Sequence, residues 1–315
     1  MKYSQLLEMK FKKPEFWSYK YSILSIILMP LSWIVIMINF LFKIKKSTKF
    51  RIPIICVGNI YLGGTGKTPV SQEIYKILKK NGKKPAFVKK YYNFLEDEIN
   101  ILKKVGKVYT EKKRENSIKK LINDNFSHAI LDDGFQDNSI KKDLSIICFH
   151  NKQWIGNGRV IPSGPLRESL NSIKKADCIL INGNKNIQRE NLLRKYNPKI
   201  KIFNYQYLLS YEKNLKYKKI VAFAGIGNPE NYFELLKRNK LKIVKTFSFP
   251  DHYLYKKDDI DNLLNITKKL KATLITTEKD YLRIKNKKRD KIKRTSIKLS
   301  FIDPVSFKNF IKNKI

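Results

Sequence analysis

The residue types that bind phosphate are concentrated between positions 62 and 68 of this chain. An apolar run, residues 53–57, leads into that stretch, which reads Leu62, Gly63, Gly64, Thr65, Gly66, Lys67 and Thr68. Glycines adopt the positive φ angles that allow backbone N–H groups to close around phosphate oxygens. The following residues, 68–81, are predicted to form a helix whose positive dipole end faces the same anion. The pattern therefore predicts a phosphate-binding loop that holds a nucleoside triphosphate.

Two side chains at the end of this loop have predicted roles in the chemistry. Lys67 is expected to reach the β- and γ-phosphates, and the Thr68 hydroxyl is expected to hold Mg²⁺. The full pattern has a glycine five residues before Gly66, and this chain has Tyr61 there. The alternative interpretation is a glycine-rich turn that binds no ligand.

A second polar cluster follows the apolar run 129–131, which is predicted to be a buried strand. The run ends in Asp132 and Asp133, followed by a glycine. Two carboxylates at the end of a strand have the form of a Walker-B-like element that supports Mg²⁺ beside a phosphate loop. A strand-terminal turn that uses Asp and Gly is the structural alternative.

Two further segments carry side chains suited to phosphate binding or proton transfer. The stiff stretch 158–168 contains Arg159, Arg167 and Glu168, and arginine forks bind phosphate through two hydrogen bonds. Glu168 could instead form a surface ion pair with an arginine. His252, one of three histidines, follows a predicted strand, where it is either a catalytic or a structural residue.

Residues 22–42 contain no charged side chain. A helix of that length reaches about 30 Å, enough to cross a hydrocarbon core. The flanking lysines, which suit anionic lipid headgroups, are Lys10, Lys12, Lys13, Lys20, Lys43, Lys45, Lys46 and Lys49. The apolar run is too long for a cleaved signal peptide. It predicts a membrane-associated helix, which either spans the bilayer or lies in its interface, and the alternative is a buried helix of a soluble core.

Composition limits the remaining possibilities. The chain has 315 residues and a formal net charge of +39, from 66 Lys and Arg against 27 Asp and Glu. Lysine is spread along the whole chain and not gathered on one motif, so no nucleic-acid partner is expected. Cys56, Cys148 and Cys178 are widely separated on apolar runs, which predicts buried thiols in a reducing compartment.

The order of the apolar runs predicts an α/β fold. Strand-like runs at 85–89, 128–131, 144–149 and 178–181 alternate with helical stretches, as in a doubly wound parallel sheet. A second, smaller α/β lobe is predicted to follow. The expected divisions are a membrane-anchoring region over 1–46, a phosphate-loop domain over 47–198, a β-ribbon linker over 199–219 and a C-terminal lobe over 220–315.

Taken together, the chain resembles the tetraacyldisaccharide 4′-kinase family of lipid A biosynthesis over essentially its whole length. Besides the apolar N-terminal segment, the resemblance is carried by VGNIYLGGTGKTPV, LDDGFQD, GRVIPSGPLRES, VAFAGIGNPENYF, FPDHY and TTEKDYL. The resemblance implies transfer of the ATP γ-phosphate, with Mg²⁺, to the 4′-hydroxyl of a membrane-embedded acylated glucosamine disaccharide 1-phosphate. It also implies a location on the cytoplasmic face of a Gram-negative inner membrane, against its lipid surface, with no obligate protein partner.

The resemblance assigns roles to individual residues. It implies that residues 62–68 bind ATP, that Thr68, Asp132 and Asp133 support the metal, and that Asp97 is a general base paired with His252. The implied acceptor-binding residues are Asn59, Lys90, Tyr92, Gln136, Arg159, Arg167 and Glu168.

The sequence departs from the family pattern at three places. Residues 96–99, which read Glu-Asp-Glu-Ile, stand in place of the Gly-Asp-Glu-Pro motif of the family. Residues 89–93 replace Ser-Arg-Gly-Tyr-Gly, so Lys90 and Tyr92 keep a cation and a ring but no arginine fork. Asp137 stands where the family usually has histidine.

Two other classes of protein share some of these features. A membrane-associated ATPase switch would have the phosphate loop and the anchor, but it would hydrolyse ATP without a lipid acceptor. A non-enzymatic basic scaffold would bind anionic lipid or nucleic acid, lose that binding with rising salt and ignore Mg-ATP.

Overall fold

The fold is described from a computed structural model that covers residues 13–42, 47–92, 96–285 and 287–315. These residues form two compact units. Among the described residues, the larger unit comprises 13–42, 47–92, 102–206 and 299–315, and the smaller unit comprises 96–101, 207–285 and 287–298.

The larger unit is built on a parallel sheet. Its strands are β1 (Ile54–Gly58), β2 (Pro85–Lys90), β3 (Val108–Glu111), β4 (His128–Asp132), β5 (Leu144–His150), β6 (Cys178–Asn182) and the first part of β7 (Lys201–Ser210). They are ordered β3-β2-β4-β1-β5-β6-β7, and each neighbouring pair is parallel. β1, β4 and β6 are buried at every position, as expected for strands covered on both faces.

Helices and short connections link these strands. The helices are α1 (Ile23–Ile27), α2 (Met29–Phe42), α3 (Lys67–Lys80), α4 (Glu96–Lys103), α5 (Arg114–Asn123) and α6 (Ile187–Tyr196), with a 3₁₀ helix at Leu170–Lys175. α4 begins in the smaller unit and ends in the larger one. The apolar side of α3 is buried, and its residues Val70 and Ile74 are fully buried.

The smaller unit has its own parallel sheet and its own cores. Its elements are the end of β7, β8 (Lys219–Ala224), α7 (Pro229–Arg238), β9 (Lys242–Ser248), α8 (Lys257–Lys269), β10 (Thr273–Thr277), α9 (Glu278–Arg283) and the start of β11 (Lys293–Phe301). The strand order is β11-β10-β8-β9. One core cluster lies around Ile220 and Phe233, and another lies around Phe223 and Ile260. The last helix, α10 (Pro304–Lys314), belongs to the larger unit.

The N-terminal segment differs from the single long helix that its composition predicts. α1 and α2 are separated at Leu28, and Pro30, which has no backbone N–H, is the second residue of α2. Within the described residues, no helix combines the length and the apolar character that crossing a bilayer requires. Lys43, Lys45 and Lys46 lie outside the described residues, as do Lys10 and Lys12.

The α/β class, the parallel sheet and the second α/β lobe are confirmed. The β-ribbon predicted for residues 199–219 is wrong in its form, because the segment holds one strand, β7, that pairs in parallel with β6, and then a 3₁₀ helix at Lys213–Tyr217. Extended segments rich in lysine and tyrosine favour a ribbon, whereas Tyr205 on β7 is fully buried. The sequence-based domain divisions stay a prediction.

Candidate functional site

The glycine-rich stretch forms the turn between β1 and α3. Gly63 has φ +114° and Gly66 has φ +89°, both in the left-handed region that favours glycine. Gly66 is the N-cap of α3, so the helix begins directly at Lys67. A Cβ placed on Gly64 would meet no heavy atom of the described residues within 4 Å. The loop therefore has the strand-turn-helix geometry that directs backbone N–H groups and a helix N-terminus at an anion.

Hydrogen bonds from neighbouring segments fix this loop. The Asn59 amide donates to the carbonyl oxygens of Tyr61 (2.6 Å) and Gly63 (3.1 Å), and the Gln136 amide donates to the carbonyl of Asn59 (2.8 Å). Leu62 N donates to the carbonyl of Pro165 at 2.8 Å. The phosphate loop and the 158–168 stretch are thus tied together through their backbones.

Asp132, at the carboxyl end of β4, is surrounded by donors. Its carboxylate accepts hydrogen bonds from the hydroxyls of Thr68 (3.2 Å) and Ser71 (3.0 Å), one turn apart on α3. Lys89 Nζ, at the end of β2, lies 2.6 Å from Asp132 Oδ2, and the two side chains are 2% and 0% exposed. Because β1 lies beside β4, the carboxyl ends of the two strands bring Asp132 and Thr68 together.

Asp133 is more exposed and is held by two cations. Its φ of +63° is in the left-handed region, and its N–H donates to the carbonyl of Val57 at 2.9 Å. Arg167 Nη1 lies 3.1 Å from Asp133 Oδ1, and Lys67 Nζ lies 3.6 Å from the same oxygen. Arg114 donates to the carbonyl of Asp133 at 2.6 Å. The consequence is that Lys67, Arg167 and Asp133 share one small polar region.

The 158–168 stretch also binds the N-terminal helices. Arg159 Nη1 donates to Ser25 Oγ at 2.8 Å, and Asn157 Nδ2 donates to the same oxygen at 3.0 Å. Ser32 Oγ donates to the carbonyl of Val160 at 2.8 Å and accepts from Ser163 N at 3.1 Å. The polar positions of the apolar segment therefore face the loop that carries Arg159.

A second group of ionisable residues lies in the smaller unit. Asp97 on α4 is 4% exposed, and its Oδ2 accepts from Arg283 Nη2 at 2.6 Å and Nε at 3.1 Å. His252 Nδ1 is 3.5 Å from Asp97 Oδ1, at the outer limit of a hydrogen bond. The backbone of His252 has φ +57°, and its side chain is 25% exposed. The structure thus brings together two residues that are 155 positions apart in the sequence.

Competing effects set the pKa of Asp97. Burial of its carboxyl group raises the pKa, whereas the adjacent His252 ring and the charges of Arg283 and Lys279 lower it more, so that the pKa is about 2. Asp97 is therefore ionised at neutral pH. Burial raises the pKa of Asp280, which lies on the other side of Arg283.

Comparison with known proteins gives a consistent result. The sequence profile of a family described as tetraacyldisaccharide-1-P 4′-kinase (LpxK) matches residues 24–103 and 96–315. A protein of Pelagibacter ubique named tetraacyldisaccharide 4′-kinase is 44% identical over 291 residues, which cover 90% of this chain and 92% of that protein. This chain belongs to the tetraacyldisaccharide 4′-kinase family.

Other members of the family agree with this assignment. A Rickettsia bellii protein of the same name is 36% identical, with 92% of this chain and 95% of that protein covered. A crystal structure of the "apo" form of LpxK from Aquifex aeolicus in complex with ATP has 22% identity and a TM-score of 0.69, with 93% of this chain and 99% of that one covered. The last comparison shows that the fold is shared.

The predicted site residues of this tetraacyldisaccharide 4′-kinase family member fall into two groups. The first group lies in or beside the phosphate loop in the larger unit and consists of Asn59, Lys67, Thr68, Asp132, Asp133, Gln136 and Arg167. Asp97 and His252 lie together in the smaller unit. Arg159 contacts Ser25, Glu168 is buried, and Lys90 Nζ lies 5.3 Å from the ring centre of the exposed Tyr92. Their roles stay predictions.

Several residues of these two groups were missed by sequence reasoning. Ser71 could have been found, because it lies three residues after Thr68 on the same helix face. Arg283 directly follows the TTEKDYL segment, and only the tertiary fold shows what it contacts. Lys89 stands in a lysine pair at a strand end, a pattern that is typical of solvated residues, so no local signal indicates its burial.

Proposed function

We propose that this protein transfers the γ-phosphate of ATP to the 4′-hydroxyl of an acylated glucosamine disaccharide 1-phosphate in lipid A biosynthesis. The observation that carries the proposal is the 44% identity to a tetraacyldisaccharide 4′-kinase over nine-tenths of the chain. The strand-turn-helix phosphate loop provides independent physical support, since any such kinase must hold a nucleotide triphosphate.

The nucleotide is proposed to bind at residues 62–68. The backbone N–H groups of the loop and the N-terminus of α3 would contact phosphate oxygens, and Lys67 would neutralise charge on the transferred group. The hydroxyl of Thr65 is buried and has no hydrogen-bond partner among the described residues, so it fits a role as a phosphate contact. Lys67 Nζ lies 3.6 Å from Asp133 Oδ1.

Magnesium is proposed to be supported by Thr68, Asp132 and Asp133. The donor set fits the ion, because Mg²⁺ is commonly bound through one or two carboxylates together with phosphate oxygens and water. When bound, Mg²⁺ supplies charge neutralisation at the phosphates. Asp132 accepts the hydroxyl hydrogens of Thr68 and Ser71 and so orients both side chains, while Asp133 is partly exposed.

Asp97 is proposed to accept the proton of the acceptor hydroxyl, with His252 orienting its carboxylate. A weak base of this kind suffices where phosphoryl transfer passes through a loose transition state. Arg159 and Arg167 are proposed to bind phosphate or sugar groups of the acceptor, since each presents a guanidinium fork on the 158–168 stretch. Asn59, Lys90, Tyr92, Gln136 and Glu168 complete the proposed acceptor-binding set.

The N-terminal helices are proposed to hold the enzyme at the inner-membrane surface, where an acceptor with several acyl chains resides. Large apolar side chains of α1 and α2 are exposed: Ile23, Leu24, Ile26, Ile27, Leu31, Trp33, Ile34, Ile36, Met37, Ile38, Phe40 and Leu41. An outward apolar face next to basic residues is typical of helices that lie in a membrane interface. This geometry supports an interfacial position on the cytoplasmic side, where ATP is available.

The decisive experiment is a transfer assay. Purified protein in detergent is incubated with labelled ATP, Mg²⁺ and the acylated disaccharide 1-phosphate, and label is expected on the lipid. Lys67→Ala should abolish transfer. Lys76→Ala, which removes an exposed lysine from the same helix, is the matched control and should transfer normally.

Three results would contradict the proposal. Hydrolysis of ATP at the same rate with and without the lipid would indicate an ATPase switch. Lipid binding that weakens with rising salt and is unchanged by Mg-ATP would indicate a scaffold. Full transfer by Lys67→Ala would refute the role of the phosphate loop.

A further inference from the structure

Arg283, the last residue of α9, contacts three different groups in the smaller unit. Its side chain is 5% exposed. Nη2 and Nε donate to Asp97 Oδ2, while Nη1 donates to the carbonyl of Gly225 at 2.6 Å and to Asp280 Oδ1 at 3.1 Å. One guanidinium therefore links the proposed base to a backbone carbonyl and to a second carboxylate.

The position of Arg283 is itself fixed by Asp280, which is fully buried. Asp280 accepts hydrogen bonds from Gly225 N at 2.9 Å, from the Tyr255 hydroxyl at 2.8 Å and from the Thr277 hydroxyl at 2.6 Å. A buried carboxylate with this many donors has little rotational freedom. Asp280 thus holds the guanidinium in one orientation.

His252 is connected to the same guanidinium through the backbone. Its N–H donates to the carbonyl of Gly225 at 3.2 Å, and that carbonyl also accepts from Arg283. There is no room for a side chain at Gly225, where a Cβ would lie 2.9 Å from the Tyr255 hydroxyl and 3.0 Å from the carbonyl of Pro250. The turn that contains His252 therefore packs directly against Gly225, whose carbonyl also accepts the hydrogen bond from Arg283.

We propose that Arg283 is a positioning residue for phosphoryl transfer, and that its guanidinium fixes the Asp97 carboxylate and the His252 ring relative to each other. The inference rests on the proposed function, because it assigns Asp97 and His252 to that reaction. It adds a residue whose side chain touches neither the nucleotide nor the acceptor in this role.

Arginine is required for this role because of its shape. Its planar fork donates in two directions at fixed angles, to Asp97 on one edge and to Gly225 and Asp280 on the other. A lysine ammonium would keep the charge but could not make all of these bonds from one position. The charge of Arg283 also helps to keep Asp97 ionised, which a proton acceptor must be.

The test compares three single variants and one double variant in the lipid transfer assay. Arg283→Lys should lower kcat roughly a hundredfold and leave the KM for ATP unchanged, since misplacement of a catalytic group by about 1 Å has an effect of that size. Arg289→Lys is the matched control, because Arg289 lies over the Tyr281 ring in the same unit, and it should keep wild-type kcat. Asp97→Asn should also lose activity. Adding Arg283→Lys to Asp97→Asn should lower kcat by no more than about twofold further, because the two residues act as one unit.

A second measurement does not depend on transfer activity. Hydrogen exchange of the peptide 249–255 should be faster in Arg283→Lys than in wild type, because the carbonyl that accepts from the His252 N–H loses its fixed position. The Arg289→Lys protein should exchange like the wild type.

The two measurements separate the inference from the proposed function. If the wild-type protein transfers no phosphate, the proposed function fails. The positioning role is then judged by hydrogen exchange alone, and unchanged exchange in Arg283→Lys would overturn it. If Asp97→Asn is impaired while Arg283→Lys turns over like the wild type, only the positioning role is refuted. The positioning role is also refuted if the double variant loses kcat by the product of the two single-variant factors, because the two residues would then act independently.

Discussion

The buried ion pair between Lys89 and Asp132 provides a quantitative test of the structure. Lys89 Nζ lies 2.6 Å from Asp132 Oδ2, and neither side chain is more than 2% exposed. Lys89→Met keeps most of the length of the side chain and removes its charge. The carboxylate of Asp132 then stays buried without its cation, which is the unfavourable state for an ion in a medium of low polarity.

The expected loss of stability follows from this geometry. Breaking a buried ion pair by removing one partner destabilises a protein by roughly 3–5 kcal/mol. Asp132 keeps its hydrogen bonds from Thr68 and Ser71, so we expect the lower end of this range, about 3 kcal/mol. For a unit of this size that loss lowers the melting temperature by roughly 6–12 °C.

The assay is thermal unfolding in detergent, with a double variant and a surface control. Lys89→Met combined with Asp132→Asn removes both charges and should recover at least half of the lost stability, because no unpaired ion is left. Lys120→Met removes an exposed ion pair with Glu111 and should change the stability by less than about 1 kcal/mol. A Lys89→Met protein as stable as Lys120→Met would refute the buried pair.

Three further outcomes are expected. Ser32→Val removes the hydrogen bonds between Ser32 and the backbone of Val160 and Ser163 on the 158–168 stretch. The KM for the lipid acceptor should therefore rise about tenfold, which is equivalent to ~1.4 kcal/mol. The KM for ATP and the binding to anionic vesicles should stay unchanged. The lowered pKa of Asp97 means that its ionised form stabilises the fold above about pH 4, and roughly 2 kcal/mol is lost as the pH falls through 2. Urea titrations should therefore show a shallower acid dependence for Asp97→Asn, and an unchanged slope would contradict the ion pair. Burial raises the pKa of the Cys56 thiol to about 11, so native protein should react with thiol reagents far more slowly than unfolded protein; rapid native labelling would show that the thiol is accessible.

The strands and the phosphate loop could be predicted from sequence because their signals are local. Continuous apolar runs such as 144–149 are typical of strands buried on both faces, and β5 is buried along almost its whole length. The glycine pattern and the following amphipathic helix lie within about twenty residues. Burial of the three cysteines was predicted on the same basis and is confirmed.

The parts that could not be predicted depend on contacts between distant segments. Asp97 and Arg283 are 186 positions apart, and nothing in either local sequence indicates that two guanidinium nitrogens of Arg283 donate to Asp97 Oδ2. The order of the strands was not predicted, because the pattern of apolar runs does not specify which strands become neighbours. Lys89 was missed because a lysine at a strand end is usually solvated. Its burial depends on the ion pair with Asp132, which lies on another strand, β4.

The N-terminal segment shows how a small polar signal can determine the orientation of an apolar helix. Ser25 on α1 and Ser32 and Asn39 on α2 are spaced seven residues apart, a spacing that favours one common side of the segment. Ser25 and Ser32 are buried against the 158–168 stretch, and the Asn39 amide donates to the carbonyl of Arg167 at 3.1 Å.

Because the polar side chains of α1 and α2 form hydrogen bonds with the 158–168 stretch, the apolar face of these helices points outward. A helix of a soluble protein has the opposite arrangement, with its apolar side buried. Full burial of one large aliphatic or aromatic side chain is favourable by roughly 1.5–3 kcal/mol, so exposing a dozen of them to water would be strongly unfavourable. A lipid interface removes that penalty and leaves the hydrogen bonds of the polar face intact. The seven-residue spacing therefore supports both the proposed membrane contact and a fixed position of the 158–168 stretch beside it.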